Sequence, residues 1–482
     1  MDGKKNYYLF SNDGKEERVI TQELQRVIDE MDDAGGRIEF AAGKYVLSTV
    51  FLKSNLTFVL QEGAKLLGSE NFDDYAEDEK VSFPLYQDAS HSFFHCSMFV
   101  GEDCNNIHFK GTGMIDMRSV WDLENKRNMV RRGAKCISLK NCKGVKIEDI
   151  SIYNATDLAI YFAGCENVDI DSVKMRVYID GISPDNSKNV TIRNCEIESG
   201  DDGIVFKSSY NLNRLDECRN ILVENCEVKS RCNAIKIGTE TNGGFKDMVI
   251  RNIDIRETRL GGICIESTDG AEIENIFISD ITMKNVATPI FIFLGDRLRG
   301  PAGTKVGSIE NVTIQNVKAE GPYLPYDVIA WNYTSFAADD TEQYPWYFSP
   351  PKDLSKESCR KAPDGAWQLA SNICGLRGKY IKNITLRNVD LCVDGGMSEQ
   401  FDVAVPECSK DYPDVYIYGQ ILPSNAPYSK ILPATGLYCR YVDGLHMENV
   451  TITNYRADTR EKILCDNVEN LKIDGEATSA LM

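Results

Sequence analysis

Three aspartates, Asp180, Asp201 and Asp202, are the residues of this chain best suited to do chemistry. Asp201 and Asp202 are adjacent and run into Gly203-Ile204; Asp180 runs into Gly181-Ile182 in the same way. Like charges held together disfavour full ionisation, so at least one carboxyl of such a group takes a raised pKa. That suits hydrolysis of an acetal, in which a protonated carboxyl serves the leaving oxygen and an ionised one activates water. Asp and Gly also mark ordinary turns between strands, and Asp169, Asp171 and Asp185 read that way. The adjacency of Asp201 and Asp202, and their register against Asp180, set these three apart.

The register comes from an internal repeat. Asn167-Val-Asp-Ile, Asn189-Val-Thr-Ile, Asn220-Ile-Leu-Val, Asn275-Ile-Phe-Ile, Asn311-Val-Thr-Ile, Asn383-Ile-Thr-Leu and Asn449-Val-Thr-Ile recur along the chain. Each unit is too short and too one-sided to bury itself, whereas parallel units stacked about 4.8 Å apart bury a continuous core. The pattern predicts an all-β, single-stranded parallel β-helix, a solenoid of about ten coils spanning 1–482 as one domain. Thirteen residues after Asn167, Asn189, Asn220 and Asn275 come Asp180, Asp202, Asn233 and Thr288. Leu158-Ala-Ile, Asp180-Gly-Ile, Asp202-Gly-Ile, Asn233-Ala-Ile and Gly261-Gly-Ile align as successive coils. Both markers put Asp180, Asp202 and Asn233 in one column.

Residues 21–34 interrupt the β texture. Leu24, Val27, Ile28 and Met31 fall at helical spacing, with Thr21 placed to cap the start and Gly35-Gly36 to stop it. This reads as a short helix that, with the early strands, covers one end of the solenoid. Residues 321–380, rich in aromatics and prolines, and 394–438 leave the repeat and read as long loop excursions.

The formal net charge of -19 excludes nucleic acid and anionic membranes as partners, because phosphate binding needs clustered Lys and Arg. No apolar run is long enough to span a bilayer. Residues 1–20 are polar and charged, without the apolar stretch of a signal peptide. A chain already trimmed of one would look the same, so a cytoplasmic location is the expectation, with secretion or the periplasm if a leader was removed. The 16 cysteines sit mostly in strand-like segments without a CxxC pair. They read as in-register buried thiols of a reducing compartment.

Asp180-Gly-Ile, Ser199-Gly-Asp-Asp-Gly-Ile204 and Ile237-Gly-Thr-Glu240 resemble the polygalacturonases of glycoside hydrolase family 28, as do Ala41-Ala-Gly-Lys-Tyr45, Phe51-Leu-Lys-Ser-Asn55 and Gly111-Thr-Gly-Met-Ile-Asp116. The resemblance covers roughly residues 20–320. It implies a right-handed parallel β-helix and an inverting hydrolase of pectin-type glycosidic bonds. By position, Asp201 would be the general acid, with Asp180 and Asp202 orienting and deprotonating the water. The chain departs from the family pattern in three places. Cys232-Asn233-Ala234 stands where the family has Gly-His-Gly, Cys264-Ile265-Glu266 stands for Arg-Ile-Lys, and Tyr178 replaces the Asn of Asn-Thr-Asp. The lost Arg and Lys are natural partners of galacturonate carboxylates. A neutral sugar in the recognition subsite is therefore expected.

Asn233, Glu240, Glu266, Lys207 and Arg297 are the expected substrate-binding residues around the aspartates. Glu240, Glu266 and Lys207 have a plainer alternative. Glu240 and Glu266 would be exposed turn charges, and Lys207, in the column of Asp185 and Glu266, a rung of a surface ion-pair ladder. Arg297 would follow a buried strand and reach the cleft. His91, His95, His108 and His446 show no ligand spacing, and His91 and His95 suggest no acidic partner, so no metal or cofactor is expected. The expected partner is an oligosaccharide or polysaccharide. A polysaccharide lyase or epimerase on the same scaffold would want basic residues or calcium at the cleft, and a non-enzymatic carbohydrate-binding β-helix would leave the aspartates without a task. The large loops lean toward exo action on small oligosaccharides.

Overall fold

Asparagine enters left-handed backbone more readily than other residues with a β-carbon, and the repeat uses it for that. The computed structural model describes residues 6–12, 16–122, 124, 132–321, 370–396 and 432–477. Within it Asn167, Asn189, Asn220, Asn275, Asn311, Asn383 and Asn449 all have φ between 52° and 59°. Their amides stack from coil to coil: Asn189 Nδ2 donates to Asn167 Oδ1 at 3.1 Å, and Asn220 Nδ2 to Asn189 Oδ1 at 3.0 Å. A second ladder joins Asn225, Asn194 and Asp171. Asn449 belongs with a neighbouring corner rather than with Asn383. Its Nδ2 donates to Asn388 Oδ1 at 3.0 Å, and the coil position facing Asn383 is held by Gly444. The Asn-x-x-Ile tetrad fits either corner, so spacing alone could not separate them.

The described residues group into two compact units, Met1–Cys226 and Glu227–Met482. In the first, strands stack in three parallel series. One runs through Leu56–Leu60, Asn105–Lys110, Lys143–Glu148, Glu166–Asp171 and Lys188–Arg193. The next runs through Ala64–Gly68, Met114–Asp116, Ser151–Tyr153, Lys174–Val177 and Glu196–Ser199. The third runs through Ser97–Glu102, Lys135–Lys140, Ile160–Ala163, Ile182–Asp185 and Ile204–Ser208. Alternate side chains point inward, giving buried columns such as Val145, Val168, Val190 and Ile221, or Ile147, Ile170, Ile192 and Val223. Each such side chain contributes about 1.5–3 kcal/mol by leaving water.

The helix spans Thr21–Glu30, shorter than the expected 21–34, and buries Leu24, Val27 and Ile28. Thr21 does not cap it. Its hydroxyl accepts the Ser48 N–H at 2.9 Å, and Ile20 takes the cap position without a side-chain bond. Gln25 completes the edge of the third series, accepting from Phe51 N–H (2.8 Å) and donating to Phe51 O (3.1 Å).

The second unit pairs Gly244–Ser267 with Glu272–Leu294 in parallel over most of their length, and continues through Ser308–Glu320, Ile381–Gly395, Ala434–Arg456 and Glu461–Glu469. Ser371–Cys374 pairs in register with both Glu272–Leu294 and Ala434–Arg456. The excursions are therefore shorter than 321–380 and 394–438; residues 322–369 and 397–431 lie outside the described residues. Of the fourteen described cysteines, all but Cys232 and Cys392 are buried, as in-register packing requires.

Candidate active site

The third strand series positions the aspartates. Ile160, Ile182 and Ile204 are register partners on successive coils, so Asp180 and Asp202 enter neighbouring strands at equal offsets. The backbone is tied there: Gly181 N–H donates to Asp202 O and Ile182 N–H to Gly203 O, each at 3.0 Å. Gly200 precedes the adjacent pair because nothing larger fits. A β-carbon on it would lie 2.0 Å from the Tyr178 carbonyl oxygen, and that close approach holds Asp201 and Asp202 against the Asp180 coil.

Asp180 is 3% exposed, and its Oδ1 accepts the Asp202 N–H at 3.1 Å. Ser183 Oγ donates to its other oxygen at 3.4 Å. Burial pushes the Asp180 carboxyl well above the ordinary range, and the Asp201 and Asp202 carboxylates push the same way, against Lys207 and Arg132. Asp202 is equally buried. Asp201 differs: its side chain is 26% exposed, and Oδ2 lies 3.8 Å from Arg132 Nη2. Two enclosed carboxyls and one facing outward, on adjacent coils, can hold a proton and a nucleophilic water at the same time.

Residues that the repeat did not single out surround this group. Arg132 stands 3.8 Å from both Asp157 and Asp201 and 4.0 Å from Asp88, and donates to Ser90 Oγ at 2.8 Å. Asp157 also faces Lys135 at 3.2 Å, both without measurable exposure. A sequence signal existed for Asp157. In the coil alignment it precedes Leu158-Ala-Ile as Asp201 precedes Asp202-Gly-Ile. His91 reaches Asp180 Oδ2 with Nε2 at 3.8 Å and Asp88 Oδ1 with Nδ1 at 3.0 Å. The expectation of no acidic partner is thus corrected for His91, and for His95, which lies 3.2 Å from Glu102. The hydrogen bond to His95 holds the Glu102 carboxyl down to about 2.

Lys207 is the register partner of Asp185, as expected, but the ladder is not on the surface: Lys207 is 5% exposed and Asp185 is fully buried. Asp185 accepts from Asn211 Nδ2 at 2.9 Å, with the Tyr161 hydroxyl oxygen 3.3 Å away, in a buried network on the outer face of the strands.

The remaining expected residues lie in the second unit. Asn233 is fully buried and its Oδ1 accepts from Gly261 N–H (3.0 Å) and Cys264 Sγ (3.2 Å), so it braces its neighbouring coil. Glu266 is buried with Lys236 Nζ at 4.0 Å, and Glu240 is 5% exposed with Arg299 at 3.4 Å. Neither is an exposed turn charge, because both sit within strands Ile235–Thr241 and Gly244–Ser267. Arg297 is fixed from below. It pairs with Asp269, donates to Thr239 O at 2.7 Å and lies 3.9 Å from Glu240. Its guanidinium is thus spent on the two preceding coils, and Arg299, with a side chain 44% exposed, is the outward cation that the sequence reading missed.

The family model for glycosyl hydrolases family 28 matches residues 49–323, more than half of the chain. This chain belongs to glycosyl hydrolase family 28. It is similar to an exo-poly-alpha-D-galacturonosidase of Dickeya chrysanthemi, 24% identical over 65% of this chain and 59% of the relative. An endo-polygalacturonase of Pectobacterium parmentieri is 22% identical over 63% of this chain and 78% of its own length. The chain spans about three fifths of the length of the Dickeya relative. Among solved structures, the family 28 exopolygalacturonase of Yersinia enterocolitica aligns over 97% of this chain and 77% of its own, at TM-score 0.63 and 18% identity. The Thermotoga maritima exopolygalacturonase aligns over 78% and 84%, at TM-score 0.59 and 19% identity. These likenesses show the fold, a right-handed parallel β-helix. The family 28 motifs lead directly to Asp180, Asp201 and Asp202. They do not include His91, Arg132, Lys135 or Asp157, which come from outside the motif segments.

Proposed function

We propose that this family 28 chain hydrolyses O-glycosidic bonds of a pectin-type oligosaccharide or polysaccharide with inversion of configuration. The observation that carries the reading is the stacking of Asp202 on Asp180, joined by the 3.1 Å backbone hydrogen bond, with Asp201 facing outward beside them. Asp201 is the general acid: it alone of the three is accessible to a leaving oxygen. Asp180 and Asp202 orient the water and take its proton. Family membership and the galacturonan-cleaving names of the relatives support the reaction class. Hydrolysis should release reducing ends without absorbance near 235 nm; absorbance there would mean the double bond of a lyase product.

The recognition subsite takes a neutral sugar in preference to galacturonate. Where the family pattern has Arg-Ile-Lys, this chain has Cys264 and a buried Glu266, and Lys236 and Arg297 already face carboxylates of neighbouring coils. A uronate carboxylate placed there would meet negative charge, and a juxtaposed like charge costs several kcal/mol. Polygalacturonic acid should be cleaved at least about tenfold more slowly, per kcat/KM, than pectic oligosaccharides bearing neutral sugars, the ratio that 1.4 kcal/mol produces. Equal or faster cleavage of polygalacturonic acid, followed by product mass, would show that Arg299 or another cation has taken over carboxylate recognition.

A further inference from the structure

To serve the water, Asp180 must be ionised, and its surroundings resist that. It is buried beside Asp201 and Asp202, and Asp88, Asp157 and Asp185 belong to the same connected network. Arg132, Lys135 and Lys207 are permanent cations that face carboxyls of this group. Buried carboxylates without compensating charge protonate instead. His91 is placed to add a further positive charge beside two of these carboxyls. It is 3% exposed, with Nδ1 3.0 Å from Asp88 Oδ1 and Nε2 3.8 Å from Asp180 Oδ2. Its position is fixed on every side. The backbone N–H donates to Asp88, the carbonyl accepts from Tyr161 O–H at 2.8 Å and Asn211 Nδ2 at 2.9 Å, and the ring meets Tyr161 edge-on.

We propose that His91 works as an imidazolium clamped between Asp88 and Asp180, a positioning residue whose charge keeps Asp180 ionised as the base. This rests on the hydrolytic reading of the three aspartates. The groups that face His91 fit the assignment. Asp88 lies on its own turn and Asp180 just before strand Ile182–Asp185. The Tyr161 phenol has Asp185 behind it, and Lys207 is in register with Asp185. Arg132 bears on Asp88 and Ser90. Nδ1 lies 3.0 Å and Nε2 3.8 Å from a carboxylate oxygen, an environment that favours protonated histidine.

Replacing His91 by a neutral side chain of similar reach should leave Asp180 protonated to higher pH. In His91→Gln the acid limb of kcat, measured on whichever pectic oligosaccharide the wild type cleaves fastest, should move up by about one pH unit. The variant should be about tenfold slower below both limbs and near wild type above them, with KM unchanged. Asp88→Asn supplies a second test. The Asp88 side chain is 47% exposed, so its replacement spares the core while removing the charge that supports the imidazolium. It should shift the limb in the same direction. The chain has four histidines, so ¹⁵N NMR can follow His91 without substrate and should show an imidazolium through pH 7 in the wild type, lost at lower pH in Asp88→Asn. A loss of rate equal at all pH values, acid limbs that do not move, or a neutral His91 ring at pH 5–7 would overturn the proposal. A wild type that releases no reducing ends from any pectic probe would instead overturn the hydrolytic reading, leaving the NMR result to judge His91.

Discussion

Asp201→Asn should lower kcat by about 10²–10⁴-fold, the usual worth of a positioned acid or base, while KM stays within a few-fold of wild type. The asparagine fills the same space and can still approach Arg132, which lies 3.8 Å from Oδ2 in the native site, so binding and stability are spared. What it cannot do is deliver a proton to the departing oxygen. The loss should therefore depend on the leaving group. On aryl glycosides whose phenols leave readily without protonation, much of the rate should return, whereas Asp180→Asn and Asp202→Asn should stay slow on every substrate. Full activity of Asp201→Asn on pectic oligosaccharides would remove this group from the chemistry.

Asp180→Asn should be nearly inactive and yet more stable than the wild type at neutral pH. The Asp180 carboxyl is raised by burial and by its two aspartate neighbours, so the folded chain binds its proton more tightly than the unfolded chain does. Below the unfolded value of about 4 both states are protonated and the group costs nothing. As pH rises from there through the folded value, the unfolded state ionises first and stability falls. Asparagine removes that penalty and keeps an oxygen to accept the Asp202 N–H. The variant should gain about 0.5–2 kcal/mol at pH 8, the range of stabilising replacements at functional sites, and almost nothing at pH 4. Denaturant unfolding at the two pH values checks this. A loss of stability at pH 8 would mean that the ionised carboxylate is better compensated than its burial implies, and would favour a complete countercharge from His91, Arg132 and Lys207.

Much of this was legible in the residues because a β-helix repeats its geometry. Asparagine corners, inward Val and Ile columns and the Asp-Gly-Ile steps each recur once per coil, so one correct alignment places Asp180 over Asp202. Legibility failed where the repeat carries no information. Corner identity was ambiguous for Asn449, because both corners of a coil use the same tetrad. Burial was underestimated for Lys207, Glu240 and Glu266, since a charge in a turn-like sequence looks exposed until a neighbouring coil covers it. His91 and Arg132 lie outside the aligned tetrads and Asp-Gly-Ile steps, and no periodicity links them to the aspartates they face. Thr21 shows the local counterpart: its hydroxyl had a cap to make and a strand amide to satisfy, and the strand amide won.

The roles of the three aspartates turn on how water reaches the anomeric carbon. If Asp180 and Asp202 hold a water on one face while Asp201 protonates the oxygen leaving the other, a single displacement follows, with carboxyls about 6.5–9.5 Å apart across the reacting centre. Proton NMR of the wild-type digest within the first minutes, before mutarotation, reads the anomer directly. The first-formed anomer should have the configuration opposite to that of the bond cleaved; retention would require a covalent intermediate on one of these aspartates and would rule out the single displacement.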